Sequence, residues 1–362
     1  MAPAVDRGRF TNGIRRCAPE TRNCMDASTG AAGEIGAVVV RRARSGAIAA
    51  GFERVLRPEP GPGELLIEPS HIGICGSDLE QLHGRMPATF SINFPHILGH
   101  EWVGRVAEVG SDAGEYSVGQ RVLGHGHLGG NDWFGVTHDG AMADAFAVPS
   151  SMVFPVPDGV SDLTAALIEP FACVMQALKR LGGIGAGDIV HIHGLGTIGM
   201  CALVQAVTAG AAVSVFEPSE LRRGTALALG AVRAFVPGTA EAETVRGEAT
   251  IAIEASGHPA AMSGALESAG HEARVLFMGV STPREHPARL GRVQAMDLTV
   301  MSSTGAPVGI WPSAIRAVDR AGIDLAPLVT SVLPFSECAE GIARAQNPST
   351  DIKVLLTPAA AG

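Results

Sequence analysis

The sequence predicts an α/β protein in two parts: a β-rich part, then a doubly wound parallel sheet. Three observations carry this expectation. Apolar residues alternate with polar ones in short runs bounded by Gly and Pro from residue 36 to about 155. After residue 160 the apolar spacing becomes helical, as in "SDLTAALIEPFACVMQALKRLG". From residue 188 short apolar runs alternate with helical stretches, the pattern of parallel strands covered by helices on both faces. The composition permits such a fold. Of 362 residues 46% are hydrophobic and 17% charged, so a sizeable core can form and wholesale disorder is excluded.

In chain order, 36–43, 63–74, 101–110 and 120–126 read as strands, 123–140 as a Gly-rich loop, and "AMADAFAVP" as a resumed strand. Ser161 is an N-cap candidate for the first long helix. Strands are expected near 189–193, 212–216, 233–236, 250–255, 273–279 and 297–302, and helices near 197–209, 219–229 and 258–269. Two more helices, near 311–321 and 335–346, and a closing strand at 352–358 complete the chain. Residues 1–35 are Arg-, Gly- and Ala-rich and aperiodic, without an apolar signal core; they read as a disordered extension, or as sequence preceding a start at Met25.

Several function classes fall away. A formal net charge of −9 without a clustered basic face argues against nucleic-acid binding. The uncharged run between Asp188 and Glu217 is long enough to span a membrane, but its glycines, two histidines and Gln205 fit a buried strand–helix–strand better. Six scattered cysteines without CxxC spacing read as reduced thiols, hence a cytoplasmic protein.

The most specific segment is "DIVHIHGLGTIGMCALVQAVTAGAAVSVFEPSE". Gly194-x-Gly196-x-x-Gly199 follows an expected strand, opens an expected helix, and leads to a second strand ending at Glu217. That context makes it a dinucleotide fingerprint. Gly194 permits the tight turn, Gly196 the approach of the pyrophosphate, and Gly199 close helix–sheet packing. The helix N-terminus, with Thr197 and Ile198, offers N–H groups to phosphate. Glu217 is placed to accept hydrogen bonds from the adenosine ribose, which favours NAD over NADP; Arg222 and Arg223 are the counter-signal.

Cys75, in "GICGSDLEQLHG", is open to three readings: a small buried residue, a nucleophile or a metal ligand. His100, Glu101 and Glu169 each have a plain structural reading as well. Together they form one thiolate, one imidazole and two carboxylates at turns beside a dinucleotide fold, a set zinc accepts.

With "GICGSDL", "ILGHEWVGRVAEVG", "GQRV", "GAMADAFAVP", "LIEP", "GLGTIG" and "KVLL" in this order, the chain resembles the zinc-dependent medium-chain dehydrogenase/reductases (alcohol, polyol and threonine dehydrogenases) over roughly 36–358. The resemblance implies a GroES-like catalytic domain of 36–172 plus 304–362 and a Rossmann domain of 173–303. It implies one catalytic zinc on Cys75, His100 and either Glu101 or Glu169, with Asp78 orienting His100, and hydride transfer between NAD and a secondary alcohol, polyol, cyclitol or amino alcohol. Ser77 would relay the proton. Val280, Ser303 and Thr304 would touch the nicotinamide, and Lys353 is assigned to the cofactor as well. A homodimer or homotetramer is implied, with the strand at 297–302 as a contact.

Two departures stand out. Residues 122–142 hold none of the four clustered cysteines by which relatives bind a structural zinc, and Trp133 and Phe134 are available to fill that lobe. Glu80 stands where relatives often carry the histidine that finishes the proton relay, so either Glu80 or water completes it. Phe90, Phe94, Trp102, Trp133 and Trp311 are the aromatic candidates for one pocket wall. Two other readings remain: a zinc-free double-bond reductase of the same fold, and a non-catalytic dinucleotide binder.

Overall fold

The computed structural model describes residues 33–130, 132–280 and 285–358. Most of the expected extension lies outside these residues; Glu34 already belongs to the first strand, Glu34–Arg42.

One sheet is six-stranded and wholly parallel. Its spatial order is Arg233–Phe235, Ala212–Phe216, Ile189–His193, Ala249–Glu254, Ala269–Phe277, Thr299–Ser302. The order runs outward both ways from Ile189–His193 and Ala249–Glu254, which is the topological switch where dinucleotides bind. The interior strands are enclosed on both faces, so they read as β-branched and aliphatic runs: Val190, Ile192, Val213, Val215, Ile251 and Ile253 are fully buried. The covering helices start where side chains satisfy their free N–H groups. Ser219 accepts from Arg222 N–H before Glu220–Ala228, and His258 accepts from Ala260 N–H before Pro259–Ser268.

The second part is β-rich. A sheet runs Val153–Pro155, Arg121–Gly124, Glu101–Val109, Glu64–Gly73, Lys353–Thr357, Val329–Pro334, with Phe146–Pro149 paired on Glu64–Gly73. Beside it Ile48–Leu56, Glu34–Arg42 and His96–Ile97 form a smaller sheet. The Gly-rich loop contains a short hairpin, His127–Gly129 with Asp132–Trp133. Among the elements not expected from the sequence are the hairpin partner Ile48–Leu56 and the strand Val329–Pro334, whose residues are only half-buried at best.

The helix Ile168–Arg180 packs against both Thr197–Thr208 and Trp311–Ala321, and its residues belong to the core that includes the parallel sheet. A border drawn between residues 172 and 173 cuts this helix, because its apolar face is continuous from Phe171 through Val174 to Leu178.

Candidate functional site

Cys75 lies two residues past the strand Glu64–Gly73 and N-caps the helix Gly76–Leu82, with extended backbone; its N–H donates to Asp78 Oδ2 at 2.9 Å. His100 and Glu101 follow a turn at Gly99, whose φ of 99° an L side chain rarely adopts and whose Cβ would strike Met142. One ligand atom each from Cys75, His100 and Glu101 lies within 4.8 Å of the others. Glu169, in the first turn of Ile168–Arg180, lies outside that tight trio, though its charge is felt by His100 and its own ionisation is opposed by Glu101.

Surrounding groups orient the trio. His100 Nε2 lies 3.3 Å from Ser77 Oγ; its Nδ1 faces Asp78 Oδ1 at 3.7 Å and has no hydrogen-bond partner. Lys353 Nζ ion-pairs with Glu101 and donates to the Ile74 carbonyl at 2.9 Å. Gly73 leaves the room for this pair, since a Cβ there would collide with Glu101 Oε2. Cys173, one helical turn past Glu169, donates its thiol to Glu169 Oε1 at 3.4 Å.

The electrostatics fit a site that competes protons against a cation. Burial alone would lower the His100 pKa, but the charges of Cys75, Asp78 and Glu169 hold it well above the ordinary value. Burial, then the Glu101 charge, pushes Glu169 up to about 7. Burial, then the neighbouring Glu169, pushes the Cys173 thiol well up. Burial opposes the Lys353 charge, yet Glu101, Cys75 and Asp78 together outweigh it and raise its pKa. A thiol, an imidazole and carboxylates, with His100 and Glu101 buried and Cys75 and Glu169 partly so, match the donor set of a catalytic zinc; binding would release the His100 proton.

The dinucleotide turn has a matching cradle. Gly194 sits at φ 92°; a Cβ on Gly196 would meet nothing within 4 Å; one on Gly199 would strike the Gly194 carbonyl. The three glycines thus make a tight turn, an open face and a close helix contact. Glu217, almost fully buried, accepts from Leu195 N–H at 2.7 Å and Ser219 N–H at 3.0 Å. Ile198 follows Thr197 in the first turn of Thr197–Thr208, and Thr197 Oγ1 also reaches the Ile352 carbonyl at 3.5 Å.

Other expected residues fall elsewhere. Lys353 was assigned to the cofactor; instead it is buried at the metal trio, with its ammonium directed to Glu101. Arg222 Nε and Nη2 donate to the Asp351 carbonyl, and Arg223 Nη1 to the Glu217 and Pro218 carbonyls. Glu80 forms a two-pronged pair with Arg85, at 3.0 and 2.6 Å. Val280 and Thr304 are exposed at strand ends, while Ser303 is buried and accepts from Arg180 at 3.2 Å. Trp102 and Trp311 are core residues, packed on Phe146 and Phe154, so neither lines a pocket. Trp133 lies against Gly305 and 3.8 Å from the Cβ position of Gly126, which itself adjoins His100. Cys173 was not anticipated, although its spacing four residues past Glu169 on a helix was readable.

A parallel doubly wound sheet with a glycine cradle, set beside a cysteine–histidine–glutamate trio, is the layout of a dinucleotide-binding oxidoreductase with a candidate metal site. Comparisons with known proteins agree. Residues 61–158 match the alcohol dehydrogenase GroES-like domain and residues 197–320 the zinc-binding dehydrogenase domain. The L-threonine 3-dehydrogenase of Streptomyces avermitilis is 30% identical over 299 residues, covering 76% of this chain and 86% of the relative. A zinc-binding dehydrogenase from Sinorhizobium meliloti bound to NADP superposes with a TM-score of 0.81 at 25% identity, over 90% of this chain and 99% of that one. Galactitol-1-phosphate dehydrogenase from Escherichia coli does so with 0.77 at 25% identity, over 89% and 99%. The chain belongs to the zinc-type medium-chain dehydrogenase/reductase family and combines its GroES-like and Rossmann parts. Among the described residues no helix is long and apolar enough to cross a membrane.

Proposed function

We propose that this enzyme interconverts a secondary alcohol, polyol, cyclitol or amino alcohol and its carbonyl, using one zinc per chain and NAD(H). The observation that carries this is the convergence of Cys75, His100 and Glu101 ligand atoms within 4.8 Å. Similarity to dehydrogenases named for threonine and galactitol 1-phosphate supports a hydroxyl-bearing polar substrate. The preference for NAD is supported by Glu217 and by the bonds of Arg222 Nε and Nη2 and of Arg223 Nη1 to backbone carbonyls, which draw part of each guanidinium away from a 2′-phosphate.

Cys75, His100 and Glu101 would hold the zinc, which would supply Lewis acidity, and the turn 194–199 would hold the dinucleotide, which would supply hydride chemistry. The chain's own residues do the rest. Asp78 faces His100 Nδ1 and keeps Nε2 directed at the trio. Ser77, beside Nε2, is the hydroxyl placed to take the substrate proton. Beyond Ser77 the water route is favoured over Glu80, whose oxygens would first have to give up Arg85. Lys353 holds the Glu101 carboxylate, which leaves Glu169, neutral more readily, as the exchangeable carboxylate.

The same reading takes 36–172 plus 304–362 as the catalytic part and 173–303 as the cofactor part, with the helix Ile168–Arg180 as the shared joint. It takes a homodimer or homotetramer with the exposed edge strand Thr299–Ser302 as a contact, and a cytoplasmic setting, supported by the unpaired Cys75, Cys173, Cys201 and Cys338. The deciding experiment is elemental metal analysis with NADH absorbance across a panel of secondary alcohols and polyols. One zinc per chain with turnover is expected. No metal after zinc supplementation would favour the zinc-free double-bond reductase.

A further inference from the structure

The parallel sheet reverses its strand order between Ile189–His193 and Ala249–Glu254, so a dinucleotide lies across the carboxyl ends of these two strands. One lip of the crevice is the glycine turn 194–199. The other is the turn 255–257, directly after Glu254. The lips touch: a Cβ on Gly194 would come 2.5 Å from Ser256 Cβ, and one on Gly199 would come 3.4 Å from Ala255 Cβ. Behind the second lip stands Gly279, where a Cβ would run into Gly257 N. The turn is held between two backbones with no slack, so its conformation sets the width of the crevice.

Glu254 fixes that conformation. Its Oε1 accepts three hydrogen bonds: from Ser256 N–H at 2.7 Å, Ser256 Oγ–H at 2.7 Å and Gly257 N–H at 2.8 Å. Ser256 Oγ in turn accepts from His258 N–H at 3.1 Å, joining the lip to the start of the helix Pro259–Ser268. Glu254 is fully buried, and its Oε2 has no donor; it lies against Gly279, 2.6 Å from where a Cβ would stand. A buried carboxylate with one oxygen unpaired destabilises the folded chain, and an apolar residue would suit the end of an interior strand better. What the carboxylate supplies in exchange is a turn whose N–H groups are drawn inward and locked.

We propose that Glu254 is a positioning residue of the dinucleotide site, holding the turn 255–257 as the second lip of the crevice opposite Gly194. It touches neither the reacting atoms nor the metal trio. The proposal rests on the dehydrogenase reading above.

The test is a titration of the wild type and of Glu254→Gln, Glu254→Ala and Ser256→Ala with NADH, followed by nicotinamide fluorescence, with metal content and Tm measured on each. Glu254→Gln should weaken NADH binding about tenfold, the effect of losing one or two charge-assisted hydrogen bonds that order the site. Glu254→Ala should weaken it further, Ser256→Ala in the same direction, and metal content should stay at the wild-type level. If Glu254→Ala does not fold, the two conservative variants decide. A cap that serves only stability would lower the Tm of the NADH-free protein and leave the Kd within about twofold; that result overturns the proposal. A wild type that binds neither NADH nor NADPH overturns the dehydrogenase reading itself, and this inference with it.

Discussion

Cys75 and Lys353 both bear on Glu101, one as a fellow member of the trio and the other as its counter-charge. Cys75→Ser replaces the one soft ligand of the trio. The variant should lose its zinc and its turnover while binding NADH as before, because the glycine cradle stands on another sheet; unchanged turnover would dismiss the metal assignment. Lys353→Met leaves Glu101 as a buried charge without its partner, which should cost about 3 kcal/mol of stability in urea denaturation. Adding Glu101→Gln should recover much of that loss, a coupling that a double-mutant cycle reads directly. The grouping of Cys75, His100 and Glu101 was legible in the sequence because cysteine, histidine and glutamate at glycine- or proline-marked turns have few structural reasons to recur together; the fourth residue expected with them, Glu169, lies outside the tight trio. The partner of Glu101 was not legible: 252 residues separate it from Lys353, and nothing local in "IKVLL" distinguishes a lysine aimed at a carboxylate from one aimed at a phosphate. Glu254 was hidden for a similar reason, since an acid at a strand end looks the same in sequence whether it locks a turn or faces solvent.

At the scale of elements, the cofactor turn depends on how closely one helix lies on its strand. Gly199→Ala would drive a methyl group into the Gly194 carbonyl, which is backbone and cannot swing aside. The helix Thr197–Thr208 must lift, so NADH affinity should fall at least about tenfold and Tm should drop; calorimetry and NADH titration check both. Undiminished affinity would mean that phosphate does not approach this helix. The parallel strands were readable because each is a short apolar run closed by a turn signal, and the hydrophobic period changes at every junction. Val329–Pro334 was not. Its exposed positions and terminal proline imitate a loop, and only its parallel pairing with Lys353–Thr357 makes it a strand.

For the whole molecule, burial holds His96, His125, His191 and His193 neutral, and each contributes to acid sensitivity; the pair in the parallel sheet is the clearest case. His191 and His193 lie on one face of Ile189–His193, within the sheet, against Phe216; burial depresses their pKa values to about 4 and about 3. Both folded values lie below the unfolded value near 6.5, so the neutral rings fit the fold and the charged rings do not. Their stabilising share is complete above about pH 6.5. It declines as the pH falls below that, and for His191 the decline ends near pH 4, where it amounts to about 3 kcal/mol. His191, with neither ring nitrogen bonded, is the better probe. His191→Leu should flatten the fall in stability between pH 7 and 5, measured by urea midpoints; an unchanged slope would place the acid sensitivity elsewhere.

The stretch 351–353 carries one further consequence. Asp351 offers its carbonyl to Arg222 at the adenosine side, Ile352 offers its carbonyl to Thr197 at the pyrophosphate turn, and Lys353 neutralises Glu101 at the metal trio. Translation reaches Lys353 252 residues after Glu101. The nascent chain therefore displays Cys75, His100 and Glu101 before the cation that balances Glu101 exists, and the last parallel strand, Thr299–Ser302, also precedes that cation. The charge balance of the candidate metal site is thus completed only after every strand of the nucleotide sheet has been made.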